Sequence, residues 1–584
     1  MMNSTESAAT AAAPATRVAL AFLILVACLL AASTWRVYSN TWDEPEHLAA
    51  GIELLDKGRY EYDTEHPPIV RIFMALGPYL AGARSFGTPP PDGVLEGTDI
   101  LYTGGHYDLY LTLARLGTLP FLALLLYVTW LWGQRTAVSP IGGSIAGRSV
   151  AAGEALLAVL LTASVPPILG HAALATLDVA AAATVLLALF AAQCWLSSGR
   201  WREAVFCGLA TGLAVGSKFS AVPFLVLGFG VLAVTHAVLL RWPETAAVTA
   251  SPAPIRRLLR DLALIFLATL LPLALVYGIR GHAMSVAHRF DWAVVFLLHE
   301  HGLSHDAGVV LQHLWLPQWV QGLLEGIIAI KAHNDAGHLS FLFGQLRSTG
   351  WWYFYLVALA VKTPIPLLVL GPVGMVMLAR AGWRERDGWR IAPLILFLTV
   401  LVFSSAFSHI NIGIRHVLVL YPFMALGAAY LVARLWRTLR ATTVRPLAIA
   451  GSGLLVVFVG WQVLTLWTAN PDYLPYFNEF IAHPEQVLVD SDLDWGQDLR
   501  RLEQRAAAIR IPKLNLAYLG TPDLTREPLP PYVMMTPGKP VTGWIAVSTL
   551  ARAHFPKGYA WLDAYRPLET IGKTIELYYI PPVR

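Results

Sequence analysis

The chain has 584 residues, of which 56% are hydrophobic and only 14% are charged, so it lacks about half the charge of an ordinary soluble protein. This composition excludes a water-soluble enzyme and a collagenous or disordered chain, and it predicts a protein that crosses a membrane several times. A net charge of +4 without a basic stripe gives no reason to expect a nucleic-acid partner, and the three cysteines, all in apolar runs, predict no disulfide framework.

Eleven apolar runs approach the length of about 20 residues that a membrane-spanning helix needs. No small-residue cleavage site follows the first run, 18–32, so it is interpreted as an uncleaved span and not as a signal peptide. The remaining ten runs are 109–132, 150–169, 175–196, 204–217, 219–240, 262–279, 351–379, 391–407, 415–433 and 446–467. The sequence therefore predicts an all-α polytopic membrane protein with about 11 transmembrane helices.

The distribution of charge predicts an orientation, because cytoplasmic loops carry an excess of lysine and arginine. Sixteen arginines lie in the short loops 133–149, 197–203, 241–261, 380–390 and 434–445. The other short connections carry only Lys218 and Arg415, whereas the long segments 37–108, 280–350 and 468–584 hold 30 of the 38 acidic residues. These segments alternate with the arginine-rich loops, which predicts a cytoplasmic N-terminus and an outer C-terminus.

The first outer segment begins with a carboxylate pair, Asp43-Glu44, and reaches His66-Pro67-Pro68 about twenty residues later. Apolar residues follow the pair at helical spacing. This pattern predicts an interfacial helix with the carboxylates at its N-terminal end, where the helix dipole favours negative charge. A capped amphipathic helix without chemistry explains the pattern equally well. The two prolines fix the backbone and thereby the direction of His66.

These residues resemble the first outer loop of the protein O-mannosyltransferases and their relatives, the polyprenyl-phosphate-dependent GT-C glycosyltransferases, which include the aminoarabinose transferases of lipid A. The resemblance spans about 40–470. Other matching positions are Asp178 at the head of the fourth span, Gly208 to Ser220, Gly350 to Tyr353, Lys362-Thr363-Pro364, and Arg415 before Tyr421-Pro422. It implies a GT-C-like fold. His66 stands where the aminoarabinose transferases usually have a lysine, which favours the mannosyltransferase-like branch.

Ionisable groups at the ends of apolar spans are costly, so they indicate either a function or a buried partner. Asp178, Lys218, Lys362 and Arg415 all lie at or near the outer ends of predicted spans. One interpretation is that they pair with one another, as in a structural Asp178–Lys218 pair. The other is that the three cations, together with His66, bind the phosphate of a lipid donor, since a fork-shaped guanidinium suits phosphate oxygens.

The reaction that the resemblance implies assigns roles to the carboxylates. A sugar linked to polyprenyl phosphate has a stable leaving group, so transfer needs cations near the phosphate and a base for the acceptor hydroxyl. Asp43 is the predicted base, and Glu44 or Asp178 orients the acceptor or tunes Asp43. A single displacement inverts the anomeric carbon and needs no second carboxylate as nucleophile.

No cofactor is predicted, and the donor is a lipid-linked co-substrate. Candidate ligands for a divalent ion are Asp43, Glu44, Glu46, His47 and Asp178. However, the first loop has no Asp-x-Asp, and the mannosyltransferases that it resembles need no metal. The spacing of His299, His301 and His305 suits zinc, but chance explains it among 17 histidines. The sequence has no Walker loop or glycine-rich nucleotide fingerprint, so a nucleotide-sugar donor is not expected.

Two extramembrane regions remain. Segment 308–332 is apolar on a broad helical face and is interpreted as an interfacial helix that either gates the entry of a lipid donor or covers the rim of the bundle. Segment 468–584 predicts a small periplasmic α/β domain, with a helix at 499–509 and strands at 513–519, 541–548 and 574–580. Three residues near its start are interpreted as cap or acceptor contacts: Asn478, Asp494 and Trp495.

The sequence thus favours an inverting glycosyltransferase of the bacterial inner membrane that moves a mannose-like hexose from a polyprenyl-phosphate-sugar to a hydroxyl acceptor on the periplasmic face. Residues 1–17 form a cytoplasmic tail, 18–467 the GT-C-like transmembrane domain and 468–584 the periplasmic domain. The acceptor can be a protein, a polysaccharide or a lipid, because no motif specifies it. The alternatives are a transporter or flippase of an anionic polyprenyl lipid, although inverted repeats are not evident, or a non-catalytic binder.

Overall fold

Long apolar helices form most of the structure, because a backbone in lipid must satisfy its hydrogen bonds within the helix. The computed structural model describes residues 14–89, 92–137, 145–241, 252–278 and 318–582. Within these ranges, eight helices are long and apolar enough to cross a membrane. A ninth span is formed if the helix ending at Ala163 and the following Pro166–Ala172, bent by 67°, are counted together.

Each of the eleven predicted runs corresponds to a helix or a pair of helices. They are Pro14–Ala32, Tyr107–Leu116 with Leu119–Thr136, Ile145–Ala163 with Pro166–Ala172, Asp178–Ser198, Trp201–Val215, Ala221–Arg241, Pro252–Gly278, Phe354–Lys362 with Ile365–Glu385, Gly388–Phe407, Leu420–Ala441 and Arg445–Ala469. Two of these fall outside the nine because Trp201–Val215 has only 15 residues and Leu420–Ala441 has three arginines near its end. The multi-pass helical fold predicted from the sequence is confirmed.

The eighth predicted span, 351–379, is not one continuous helix. It breaks between Phe354–Lys362 and Ile365–Glu385, because Pro364 cannot continue the helix and restricts the residue before it. Asn478 fills the break, since its side-chain amide donates to the carbonyls of Ala360 at 2.6 Å and Thr363 at 2.9 Å. The C-terminal region therefore contacts the membrane domain at this point.

Helices of the outer segments pack on one end of the bundle. They are Glu44–Lys57, Ile69–Leu80, Gly93–Tyr102 and Gln318–Ala336, and the last is followed by a hairpin of strands β1, Ser340–Leu342, and β2, Gln345–Arg347. In Glu44–Lys57, Leu48 and Ile52, which are part of the apolar face predicted from the sequence, are buried against protein. Segment 308–332 is helical from Gln318 onward, and its earlier residues, like His299, His301 and His305, lie outside the described ranges.

The C-terminal region contains a five-stranded mixed sheet in the order β4-β3-β5-β7-β6. The strands are β3 Leu514–Ala517, β4 Tyr532–Met534, β5 Gly543–Ser548, β6 Glu569–Ile571 and β7 Ile575–Ile580. Strand β3 runs parallel to β4 and β5, and β7 runs antiparallel to β5 and β6. Helix Leu499–Ala508 packs on one face, and the short helices Thr549–His554 and Pro556–Tyr559 on the other. The predicted α/β domain is confirmed; the short edge strands β4 and β6 were not predicted.

The C-terminal region is attached to the chain just before Asp43. The backbone amide of Ser39 donates to the carbonyl of Gln497 at 2.9 Å, and that of Trp42 donates to the carbonyl of Trp495 at 3.2 Å. These bonds join the two outer segments at the end of the bundle where Asp178–Ser198 begins.

Candidate active site

Four predicted charges meet at this end of the bundle. Asp43 accepts a hydrogen bond from the Arg415 guanidinium at 2.6 Å, and Lys218 Nζ donates to Asp178 Oδ1 at 2.6 Å. Arg415 Nη1 lies 3.7 Å from Asp178 Oδ2, so Asp178 links the two pairs. The expected pairing of these groups with one another is present, and it places two cations and two carboxylates in one cluster.

Local structure explains how these side chains reach one another. Asp178 is the first residue of its helix, Lys218 follows Trp201–Val215, and Asp43 immediately precedes Glu44–Lys57. Arg415 lies in a short 3-10 turn, Ile414–Val417, and not in the long helix that the sequence predicted to begin there. Helix ends and tight turns therefore bring all four side chains together.

Three members of this cluster, Asp43, Lys218 and Arg415, line a cavity of about 990 Å³, and Asp178 lies behind them. Its polar lining includes Asp43, Glu46, Asp63, Glu65, His66, Lys218, Arg415, His416 and Asp490. Its apolar lining includes Phe219, Val222, Pro223, Phe224, Ile327, Ile330, Phe403, Phe407 and Ile412. Phe407 is 62% exposed, so the apolar wall continues onto the outer surface of the bundle. The cavity can hold a ligand with a charged end and an apolar end.

Several residues of this region have buried polar atoms without a hydrogen-bond partner. Among the described residues, Arg415 Nε, His416 Nε2 and His66 Nδ1 are buried and make no hydrogen bond. Most buried polar atoms of native proteins are hydrogen-bonded, so such a group calls for an explanation. Two of these atoms belong to Arg415 and its neighbour His416, and Asp178 Oδ2, 3.7 Å from Arg415 Nη1, is also buried without a hydrogen bond.

A second network holds His66 in the first outer segment. Arg71 contacts the Asp63 carboxylate closely and donates to Tyr60 Oη at 2.6 Å, and His66 Nδ1 lies 3.4 Å from Asp63 Oδ2. Burial alone would raise the pKa of Asp63, but Arg71 and His66 hold it well below its ordinary value. Asp63 is therefore ionised and fixes the ring that lines the cavity.

Two neighbours of this network are neutral in their buried positions. Burial and the positive charge of Arg71 lower the pKa of His47 well below its ordinary value. Burial, followed by the negative charge of Asp63, raises the pKa of Glu46 to about 8. A protonated carboxyl is a poor ligand for a divalent ion. Within the described residues, no group of three or more His, Cys, Asp or Glu side chains is arranged to hold a metal.

Glu44 does not line the cavity. Its carboxylate accepts from Arg115 Nε and Nη2, each at 2.8 Å, and from the backbone amides of Thr41 and Ala175 at 2.8 Å. The side chains of Glu44 and Arg115 are each 1% exposed. Glu44 therefore fixes the loop before Asp43 to helix Tyr107–Leu116 and to the turn before Asp178, a place unsuited to contact with an acceptor.

Lys362, Asn478 and Asp494 also lie outside the cavity. Lys362 Nζ donates to the carbonyls of Leu474 at 2.9 Å and Asp492 at 2.5 Å. Asp494 accepts from the backbone amide of Leu550 at 2.7 Å. The three side chains thus join the C-terminal region to the bundle or stabilise a turn within it. Their predicted contacts with a donor phosphate or an acceptor have no support in this geometry.

Trp495 does reach the cavity, and Asp490 lies there as well. The indole ring lies against the guanidinium of Arg415, with Cζ 4.4 Å from the ring centroid. Asp490 has a positive φ of 49°, and burial raises the pKa of its carboxyl to about 7, against the opposing charge of Arg415. The C-terminal region therefore forms part of the cavity wall.

Sequence reasoning missed Arg71, Arg115, His416 and Asp490. The two arginines carried a usable signal, because each interrupts an apolar run, where an unpaired charge is costly. The signals of His416 and Asp490 were weaker. Histidines are scattered through the chain. Asp490 is one of four closely spaced aspartates, and the sequence does not show which of them reaches the cavity.

Comparison with known proteins agrees with this geometry. The family model described as "Dolichyl-phosphate-mannose-protein mannosyltransferase" matches residues 144–252, which include Asp178 and Lys218. The Saccharomyces cerevisiae protein O-mannosyltransferase Pmt1-Pmt2 complex, solved with its sugar donor, is similar in structure. The TM-score is 0.52, the sequence identity is 11%, and the match covers 80% of this chain and 91% of that chain. The predicted GT-C fold is confirmed.

ArnT from Cupriavidus metallidurans, solved with undecaprenyl phosphate, also matches, with a TM-score of 0.46 and 14% identity over 97% of this chain and 98% of that chain. No curated protein sequence matches. The resemblance to polyprenyl-phosphate-dependent GT-C glycosyltransferases, expected from the first outer loop, is confirmed by the family match and the shared fold. The family match also bears out the predicted enzyme class, a glycosyltransferase.

Proposed function

We propose that this protein is an inverting glycosyltransferase that moves a mannose-like hexose from a polyprenyl-phosphate-sugar donor to a hydroxyl acceptor. One observation carries the proposal: Asp43 is a partly exposed carboxylate in the cavity and lies 2.6 Å from the guanidinium of Arg415, which lines the same cavity. A base and a cation for the leaving group are thereby adjacent, as this reaction requires.

The two ends of the cavity suit the two ends of the donor. The polyprenyl chain fits the apolar wall, which is continuous with the exposed surface of Gly388–Phe407 and so with the membrane. The phosphate fits beside Lys218, Arg415 and His416, where Arg415 Nε and His416 Nε2 lack partners in the described structure. His66 approaches this position from the first outer segment.

In the proposed reaction, Asp43 removes the proton of the acceptor hydroxyl while the oxygen attacks the anomeric carbon. The bond from that carbon to the phosphate oxygen breaks in the same step, and Arg415 and Lys218 stabilise the negative charge of the departing polyprenyl phosphate. Asp178 holds both cations in place. The configuration at the anomeric carbon inverts because there is a single displacement.

The proposed location is the periplasmic face of a bacterial inner membrane, with the N-terminus in the cytoplasm. Of the connections rich in arginine, 197–203, 380–390 and 434–445 are fully described, and they join helix ends opposite the cavity, which is the distribution that the positive-inside rule expects. The acceptor is a protein, a polysaccharide or a lipid with a free hydroxyl. No metal is required in this proposal, because Arg415 and Lys218 supply the positive charge.

The test is transfer of radiolabelled mannose from polyprenyl-phosphate-mannose by the purified full-length protein in the presence of mixed envelope acceptors. The expected result is labelled acceptor, release of polyprenyl phosphate and no loss of activity with a chelator. Donor binding without any release of polyprenyl phosphate would overturn the proposal. Protein-dependent movement of the intact donor between leaflets would instead identify a flippase.

A further inference from the structure

Residues 490–498 of the C-terminal region contact both loops that carry the reacting charges. On the side of Asp43, the backbone hydrogen bonds of Ser39 with Gln497 and of Trp42 with Trp495 hold the residues just before the carboxylate. Buried backbone groups need hydrogen-bond partners, and here segment 490–498 supplies them to the loop before Asp43. The position of Asp43 therefore depends on this segment.

The same segment holds the loop before Arg415. Asp492 Oδ1 accepts from the backbone amide of Ile414 at 3.0 Å, and the Ser491 hydroxyl donates to the carbonyl of Ile412. A Cβ atom at Gly413 would lie 2.3 Å from Ser491 Oγ, so these two segments lie so close together that only a glycine fits at position 413. The backbone that presents Arg415 is thus fixed from the C-terminal side.

Trp495 holds the guanidinium itself. Its ring is buried, and Gln497, also buried, accepts from the Trp495 amide at 2.8 Å and donates to the Leu493 carbonyl at 2.7 Å. With Arg415 Cζ 4.4 Å from the ring centroid, the ring face attracts the cation and restricts the guanidinium to one plane. The plane matters because guanidinium recognises phosphate through two parallel hydrogen bonds.

We propose that Trp495 is a positioning residue, which orients Arg415 for the phosphate of the lipid donor, and that segment 490–498 is therefore part of the active site. This inference rests on the proposed function for the identity of the ligand. Its test uses binding of a lipid phosphate alone, so it stands or falls independently of sugar transfer.

The experiment measures the affinity of the full-length protein for undecaprenyl phosphate in four single variants and one double variant. Trp495→Leu removes the aromatic face, Trp495→Phe keeps one, and Trp544→Leu removes a tryptophan of the same region that lies on strand β5 and packs on Tyr579. Arg415→Ala removes the cation, and combining it with Trp495→Leu completes a double-mutant cycle. Melting temperatures show whether each variant is folded.

We expect Trp495→Leu to weaken binding about tenfold, and Trp495→Phe and Trp544→Leu to bind within about threefold of the original protein. In the Arg415→Ala background, Trp495→Leu should have no further effect, because the ring acts through the guanidinium. The proposal would be overturned if Trp495→Phe weakened binding as much as Trp495→Leu. It would also be overturned if Trp495→Leu weakened binding by the same factor in the Arg415→Ala background as in the original protein. If the affinities change as expected but the protein transfers no sugar, the role of Trp495 stands and the proposed reaction is rejected.

Discussion

Asp43 and Glu44 are neighbours in the sequence, yet their side chains enter different environments. The side chain of Asp43 is 24% exposed and lies in the cavity, whereas Glu44 is buried between Arg115 and three backbone or hydroxyl donors. The first geometry allows Asp43 to accept a proton from a ligand in the cavity. The second suits structural support.

Matched amide substitutions should separate the two roles. Asp43→Asn removes the base, so transfer should fall at least about a hundredfold while the melting temperature stays near that of the original protein. Glu44→Gln leaves Arg115 buried without its counter-charge, which should lower the free energy of unfolding by about 3 kcal/mol. Transfer rates and melting curves of both variants provide the measurement. Unchanged transfer in Asp43→Asn would show that another group is the base.

At the scale of elements, helix Gln318–Ala336 closes one side of the cavity through a few polar contacts. His333 Nδ1 lies 2.8 Å from Glu65 Oε2, and Asn334 donates to the carbonyl of Phe407 at 3.0 Å. The sequence left open whether this helix gates the donor or covers the rim. Ile327 and Ile330 line the cavity, so the described part of the helix is a wall of the site.

The contact between His333 and Glu65 makes the attachment of this helix sensitive to pH. The hydrogen bond to Glu65 raises the pKa of His333 above its ordinary value, with burial opposing and the charge of Asp63 assisting. His338, whose ring centroid lies 5.8 Å away, and Lys331 and Asp335 of the same helix are the other titratable neighbours.

Because the folded-state pKa of His333 is raised, its stabilisation is fully present below the unfolded value of about 6.5 and is lost as pH rises through the folded value. Amide hydrogen exchange across the helix, corrected for intrinsic rates, should therefore become faster as the pH rises above the unfolded value of about 6.5. His333→Ala should remove this dependence. His483→Ala, which breaks an exposed local pair with Glu485, is the matched control. A pH-independent helix in the original protein would contradict the prediction.

At the scale of the whole molecule, the cavity and the described arginine-rich loops, 197–203, 380–390 and 434–445, lie at opposite ends of the bundle. The orientation proposed from these loops can be tested by thiol labelling in intact cells. In a background without Cys28, Cys194 and Cys207, an impermeant reagent should label Lys539→Cys, in the C-terminal domain, without permeabilisation. Arg384→Cys, at the other end, should react only after permeabilisation. The reverse pattern would place the site in the cytoplasm.

The sequence by itself determined the helices, because an apolar run of sufficient length has one stable form in lipid. It also indicated that Asp178, Lys218 and Arg415 have a function or a buried partner, since charges at the ends of such runs are costly. The strands of the C-terminal domain were predictable from short alternating apolar segments, except where an edge strand has only three residues.

Only the tertiary structure decided which polar groups share the cavity. Glu44 and Lys362 satisfied the same sequence criteria as Asp43 and Arg415, but distant partners such as Arg115 and the carbonyl of Leu474 hold them elsewhere. Trp495 reaches Arg415 although 80 positions separate them in the chain. A local pattern records the chemistry of each residue, whereas a site depends on contacts between segments that are far apart in sequence, and those contacts form only when the chain packs.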